Sequence, residues 1–299
     1  MRKIILNSIY WGLITTVFIL GFNSCEEIPP DINMSEGAIN ETTYVETVIP
    51  SAQDKIVLLE DLSGVQCVNC PNGHEKGEEI SLNNPNKVII MVLHSNSSPF
   101  TTPHDTSKYD FRTTEATTIE TMVGSPQGYP AGYVDRVLFS GETDRILSTT
   151  QWESFVTERL IETTPVNIVL DKSFDETTKK VKAIVELHYT ASVTDTHFVS
   201  VVLIENKIID YQLTPIGSDY NYEHNHVLRA MFTSATGDQI STTQTGVCET
   251  FDKGCVFIKT YEIDLPTDAN ADNCEIVGIV HLKSGTKLDV VHVAKISVK

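Results

Sequence analysis

The chain has 299 residues, 40% of them apolar and 21% charged, enough for about two globular domains of ~100 to 200 residues each. Asp and Glu number 40 against 22 Lys and Arg, and the resulting formal net charge of -18 argues against docking onto phosphate backbones, so no nucleic-acid partner is expected. Six cysteines are too few for a small disulfide scaffold, which makes their spacing more informative than their number.

Met1-Arg2-Lys3 opens a mostly apolar stretch, densest from Trp11 to Phe22, that ends at Asn23-Ser24 before Cys25. A basic start, a short apolar run and a polar exit are the layout of a secretory signal. The run falls short of the ~20 residues of a spanning helix and lacks basic residues at its exit, which favours removal over retention. A cysteine directly after such a run resembles the lipobox of bacterial lipoproteins, although Phe22-Asn23-Ser24 departs from its leucine, small, small pattern. The expectation is a signal peptide over residues 1–24 and a lipid anchor at Cys25, whose sulfur is then a thioether without redox use. The alternative is an ordinary cleavage site and a soluble secreted protein. Residues 25–50, rich in Pro, Glu, Asn and Thr with no apolar period, read as a flexible tether.

Ile56-Val57-Leu58-Leu59 is a β-like run, followed by Gly64, the Cys67-Val68-Asn69-Cys70 motif, a helix to about Asn84 and a second run from Val88 to Leu93. Neither run alternates with polar residues, as expected of parallel strands covered on both faces and joined by a helical crossover. His94 to Lys108 reads as an inserted loop, Tyr109 to Val123 as a helix, and Gly128 to Val134 as a turn leading into a short strand. Thr149 to Ile161 places Trp152, Phe155, Val156 and Leu160 on one helical face and closes this α/β domain, residues 51–163. Beyond Pro165 seven alternating runs follow: Val166–Leu170, Val181–Tyr189, Phe198–Ile204, Val227–Phe232, Val256–Ile263, Ile276–Leu282 and Leu288–Val298. With polar turns between them, they predict an all-β, Ig-like sandwich over residues 164–299.

The Cys-X-X-Cys lies just after a buried strand and at the start of a helix, whose free amides and positive dipole end favour a thiolate. Cys67 is then the attacking sulfur, presented to solvent, and Cys70 the buried resolving thiol. A structural clip is one competing reading. Half a zinc site is another, but Cys248, Cys255, Cys274, His224 and His226 lie far along the chain and supply no second Cys-X-X-Cys.

Residues 56–136 resemble a thioredoxin fold. Val57-Leu58-Leu59-Glu60-Asp61, Cys67-Val68-Asn69-Cys70-Pro71, Asp110-Phe111-Arg112, Tyr129-Pro130-Ala131-Gly132 and Tyr222-Glu223-His224-Asn225-His226-Val227-Leu228-Arg229 together resemble the Omp28-related outer-membrane lipoproteins. That resemblance implies a thioredoxin-like domain followed by a β-sandwich in an outer-membrane lipoprotein, and by itself assigns no reaction. The likeness to thioredoxins implies that Asp61 is the buried carboxylate that relays a proton to the resolving thiol, with Glu60 as the alternative inward residue. It also implies that Pro130 is cis and, with Tyr129, shapes a groove for an extended peptide, Pro126 being the competing position. Gln66 stands where a tryptophan is usual, and Pro71 where helix-favouring residues are common.

His94, His104 and the closely spaced His224 and His226 are candidate metal ligands, since i and i+2 share one face of a strand, but histidines hydrogen-bonded to backbone are the commoner outcome and no metal is assigned. The His-Asn-His string has no metal-finger context for a nuclease. Cys248 and Cys255 flank a turn-like Asp252-Lys253-Gly254, so a hairpin disulfide is sterically possible, and Cys274 could pair with either instead. No Gly-rich phosphate loop and no Gly-X-Ser-X-Gly elbow occurs, so no cofactor is expected. Two functions remain: thiol-disulfide exchange with extracytoplasmic protein or peptide thiols and disulfides through Cys67 and Cys70, or a non-catalytic surface binding or assembly lipoprotein with a structural disulfide.

Overall fold

The computed structural model of the protein describes residues 40–240 and 247–299. The segment read as a signal peptide and Cys25, the expected lipidation site, lie outside the described residues. In chain order the elements are β1 (Asn40–Val45), β2 (Val57–Leu62), α1 (Cys70–Asn83), β3 (Val88–Leu93), α2 (Thr114–Val123), β4 (Ala131–Val134), α3 (Thr149–Leu160), β5 (Val166–Phe174), β6 (Lys180–Tyr189) and β7 (His197–Glu205). There follow β8 (Ile208–Thr214), β9 (Gly217–His224), β10 (Val227–Met231), β11 (Asp238–Gln239), β12 (Cys255–Asp264), β13 (Cys274–Leu282) and β14 (Val290–Ser297).

The main sheet has the order β14-β13-β7-β10-β3-β2-β4, with β11 paired to β7. β2 and β3 are parallel in register from Val57 opposite Val88 to Leu62 opposite Leu93, and every residue of both is buried. This is the continuous apolar pattern of strands covered on both faces. Leu59, Ile80, Ile90, Trp152 and Val156 fill the side under α1 and α3, while Leu58, Met91, Ile119 and Tyr133 fill the side under α2. The sheet does not stop at residue 163. β10 pairs parallel to β3 and antiparallel to β7, so strands from both predicted domains share one hydrogen-bonded sheet.

The predicted antiparallel runs form the far end of that sheet and a second sheet of order β1-β12-β6-β5. Val181, Val185, Leu187 and Phe257 of the smaller sheet pack against Val199, Val201, Ile276 and Val280 of the larger. A sandwich is therefore present, but one of its layers continues into the parallel strands. β1 corrects part of the tether reading, because Asn40 to Val45 pair antiparallel with β12 as an edge strand.

Two further local expectations change. The helix predicted from Tyr109 begins only at Thr114, because the Tyr109 amide donates to Asp210 at 3.0 Å and Phe111 is buried against Ile208 and Tyr211. Thr113 then caps α2, its Oγ1 accepting from the Ala116 amide at 3.0 Å. The β8–β9 hairpin, absent from the sequence reading, is a two-stranded sheet of its own. No helix among the described residues is long and apolar enough to cross a membrane.

A buried ionic cluster ties β4 to the rest. Asp135 accepts from the Leu58 amide at 2.8 Å and pairs with Lys55 at 2.8 Å and Arg159 at 2.9 Å. Beside it Arg136 makes a two-pronged pair with Glu60 at 2.6 and 2.8 Å. Glu60 and Asp61 thus point to opposite faces of β2, Glu60 toward an arginine and Asp61 toward α1.

Candidate functional site

Cys70 is the first residue of α1, and it is disulfide-bonded to Cys67 with the Cα atoms 5.4 Å apart. Cys70 is buried, 0% exposed, but Cys67, expected to be presented to solvent, is buried too at 3%. Two neighbouring segments account for this. The loop from Ser98 to Thr101 approaches so closely that a methyl group at Gly64 would clash with the Phe100 carbonyl oxygen, and the Gln66 amide donates to that oxygen at 2.8 Å. From the other direction β8 lies along the cysteine loop. The Leu213 amide donates to the Val65 carbonyl at 2.8 Å, and the buried Gln212 Nε2 donates to the carbonyls of Gly64 and Cys67 at 3.2 and 3.1 Å.

Asp61 and Pro130 meet at the first turn of the same helix. A methyl group at Gly73 would lie 2.9 Å from Pro130 Cβ and 3.6 Å from Asp61 Oδ2, and the Tyr129–Pro130 bond is cis. Asp61 is 1% exposed, and its Oδ1 has no hydrogen-bond partner. Desolvation pushes its pKa up to about 8, so the carboxyl is largely neutral at pH 7. Tyr129 gives its hydroxyl proton to Glu120 at 2.8 Å, and burial raises its pKa.

Residues not singled out in the sequence complete the surroundings. His74 Nε2 lies 2.7 Å from Ser63 Oγ and 3.9 Å from Asp61 Oδ2, and its Nδ1 lies 2.8 Å from the Tyr222 hydroxyl on β9. Burial lowers the His74 pKa to about 3. A neutral imidazole donates from one ring nitrogen and accepts at the other, so it links cysteine helix and hairpin without carrying charge. The available signal was spacing: His74 follows Cys70 by four residues and shares its helix face.

The metal candidates do not converge. His224 is buried at the end of β9, where its Nε2 lies 3.2 Å from the Tyr211 carbonyl oxygen, whereas His226 sits in the following turn at φ 58° and pairs with Glu78 at 2.9 Å. The positive φ breaks the alternation that would have placed both on one face. His94 is buried against Phe111, and His104 stacks on Tyr211. Among the described residues no group of three or more His, Cys, Asp or Glu side chains is arranged to hold a metal ion. Cys248 and Cys255 are disulfide-bonded, and Cys274 is a free, buried thiol whose pKa burial pushes up to about 12.

The protein HBP35 of Porphyromonas gingivalis superposes with a TM-score of 0.64 at 15% identity, over 83% of this chain and 76% of that one, a likeness of fold. A domain of the outer membrane lipoprotein Omp28 from the same organism is 20% identical over 45% of this chain and 88% of its own, with a TM-score of 0.30. No curated protein matches. The family model described as "Outer membrane protein Omp28" matches residues 119–299, more than half of the sequence, and the chain belongs to that family.

Proposed function

We propose that the protein is an envelope lipoprotein, held at the outer membrane through Cys25, whose Cys67–Cys70 pair exchanges with thiols and disulfides of extracytoplasmic proteins or peptides. Membership of an outer-membrane protein family supports the envelope location. The observation that carries the chemistry is a desolvated carboxyl, Asp61, held without a charge partner against the first turn of the helix that bears the disulfide. A disulfide serving only as a clip has no use for such a group, and strongly perturbed acids cluster at functional sites. The order β2, α1, β3, α2, β4, with β2 and β3 parallel and β4 antiparallel, fits a thioredoxin-like reading of this region.

In the reducing direction an external dithiol first reduces Cys67–Cys70 and is itself oxidised to a disulfide; the Cys67 thiolate then attacks a substrate disulfide, forming a mixed disulfide and releasing one substrate thiol. Asp61, in the fraction that is ionised, takes the proton of Cys70, whose sulfur attacks Cys67 and releases the second substrate thiol, leaving Cys67–Cys70 oxidised. The reverse sequence oxidises a substrate dithiol.

The burial of Cys67 under the hairpin favours a second reading, a non-catalytic binding or assembly lipoprotein with a structural disulfide. The reduction potential of the pair, measured with insulin-disulfide reduction and oxidation of a scrambled substrate beside a Cys67→Ser control, separates the two. Turnover that depends on Cys67 supports exchange, whereas a potential well below about -300 mV without turnover supports the staple.

A further inference from the structure

A cleft of about 350 Å³ opens between α1 and the end of the β8–β9 hairpin, next to the disulfide but not over it: Pro71 lines it and the two cysteines do not. Its lining is chemically one-sided. Asp61, Glu75, Glu78 and Glu223 contribute carboxyl groups, and no lysine or arginine is among the lining residues. His74 is held neutral by burial and does not offset them, while His226, also in the lining, is paired with Glu78 at 2.9 Å. Aliphatic surface from Ile90 and Val92 and the ring of Tyr222 complete the walls.

The acidic rim alone would be an ordinary solvated face. What distinguishes the cleft is Asp61 in its lining, almost wholly buried, with one oxygen that no donor in the protein reaches. A buried carboxyl oxygen without a partner forgoes the hydrogen bonds it would make in water. A donor that could satisfy it must be cationic to suit the rim, slender enough for the cleft, and apolar along its length to suit Ile90 and Val92. Tyr222 adds a ring face that attracts a cation.

We infer that this cleft binds an alkylammonium group, either a lysine side chain on a protein partner or a free aliphatic diamine. The inference goes beyond thiol exchange and does not depend on it, because the ligands that test it contain no sulfur.

Calorimetric titration of the oxidised, full-length mature chain tests it, at about pH 8.5, where Asp61 is mostly ionised and alkylamines are still protonated, and in about 0.15 M salt, which screens the chain's general acidity. The titrants are cadaverine, a cysteine-free peptide with a single lysine, the same peptide with that lysine acetylated, and pentanediol. Saturable binding of cadaverine or the lysine peptide is expected, weakened about tenfold or more by Asp61→Asn and by Glu78→Gln and absent for the two uncharged controls. Binding of the peptide alone identifies a protein side chain as the ligand, and binding of cadaverine alone a free amine. Glu78 is only half buried, so Glu78→Gln keeps the test readable should Asp61→Asn fold poorly. Saturation by neither amine, equal binding of the uncharged controls, or wild-type affinity in both variants overturns the inference.

Discussion

The side-chain amide of Gln212 donates to the backbone carbonyl of Cys67 at 3.1 Å, so β8 is fastened to the loop that carries the Cys67–Cys70 disulfide. The same nitrogen reaches the carbonyls of Gly64 and Leu213, and the side chain is fully buried. The hairpin it anchors is otherwise a two-stranded sheet with a wholly exposed tip residue, Ile216, and a lone hairpin is marginal in water. Each hydrogen bond contributes about 0.5 to 1.5 kcal/mol, so Gln212→Ala is expected to shift the hairpin toward an open state and speed reduction of Cys67–Cys70 by dithiothreitol about tenfold. A rate equal to wild type would show that the hairpin does not control access.

Asp61 makes stability fall as pH rises from about 4 to about 8. Its folded pKa of about 8 lies above the unfolded value of about 3.9, so between them the folded state holds a proton that the unfolded state has lost. Its contribution is complete below pH ~4 and is lost as pH rises through 8. Urea denaturation from pH 5 to 9 is expected to show wild type losing stability relative to Asp61→Asn. A constant difference between the two proteins across that range would mean that the carboxyl is not held neutral.

The buried histidines act in the opposite direction. Burial lowers His74, His281 and His292 to about 3 and His197 and His224 to about 4, against about 6.5 in an unfolded chain. Between these values the unfolded state binds more protons, so this stability is present above pH ~6.5 and is lost as pH falls toward 3. His74 joins α1 to Tyr222, and His224 closes β9, so amide exchange in residues 208–224 is expected to accelerate between pH 6.5 and 4.5 before global unfolding. Unchanged protection there, with a flat melting temperature from pH 7 to 5, would contradict this.

Asp135 pairs with both Lys55 at 2.8 Å and Arg159 at 2.9 Å, and it also receives the Leu58 amide. Removing one partner of a buried ionic cluster leaves uncompensated charge, which destabilises by about 3 to 5 kcal/mol. Asp135→Ala is expected to lower stability by that amount in urea titrations, and Asp135→Asn, which keeps hydrogen-bonding capacity, by less. A loss below about 1 kcal/mol for the alanine variant, the scale of an exposed pair, would show that the cluster does not hold β4 in place.

Local chemistry was legible where a short stretch decides its own state. Val88 to Leu93 is a strand with the bounds its apolar run indicated, and Trp152 and Val156 are buried on the helix face that their spacing defined. Asp61 and Pro130, distant from each other in the sequence, both lie beside Gly73 in the first turn of the helix that begins at Cys70. Tyr109 was misread because its amide is claimed by Asp210, about a hundred residues away, and helix propensity is a weak prior against such a contact. The β8–β9 hairpin was missed for a related reason: β9 is polar along most of its exposed length, and what holds the hairpin down is contact with Val65, Gly64 and Cys67.

By itself the amino-acid order determined the elements with strong periodicity, the acidic surface and the placing of two cysteines at the mouth of a helix, because each follows from neighbours within a few turns. Tertiary structure alone decided that β10 joins β3 to β7 in a single sheet, that Cys248 bonds Cys255 and leaves Cys274 free, and that a distant hairpin covers Cys67. Those outcomes depend on which surfaces meet after the chain has folded back over a hundred or more residues, and burial then dictates the proton affinity of Asp61 and His74.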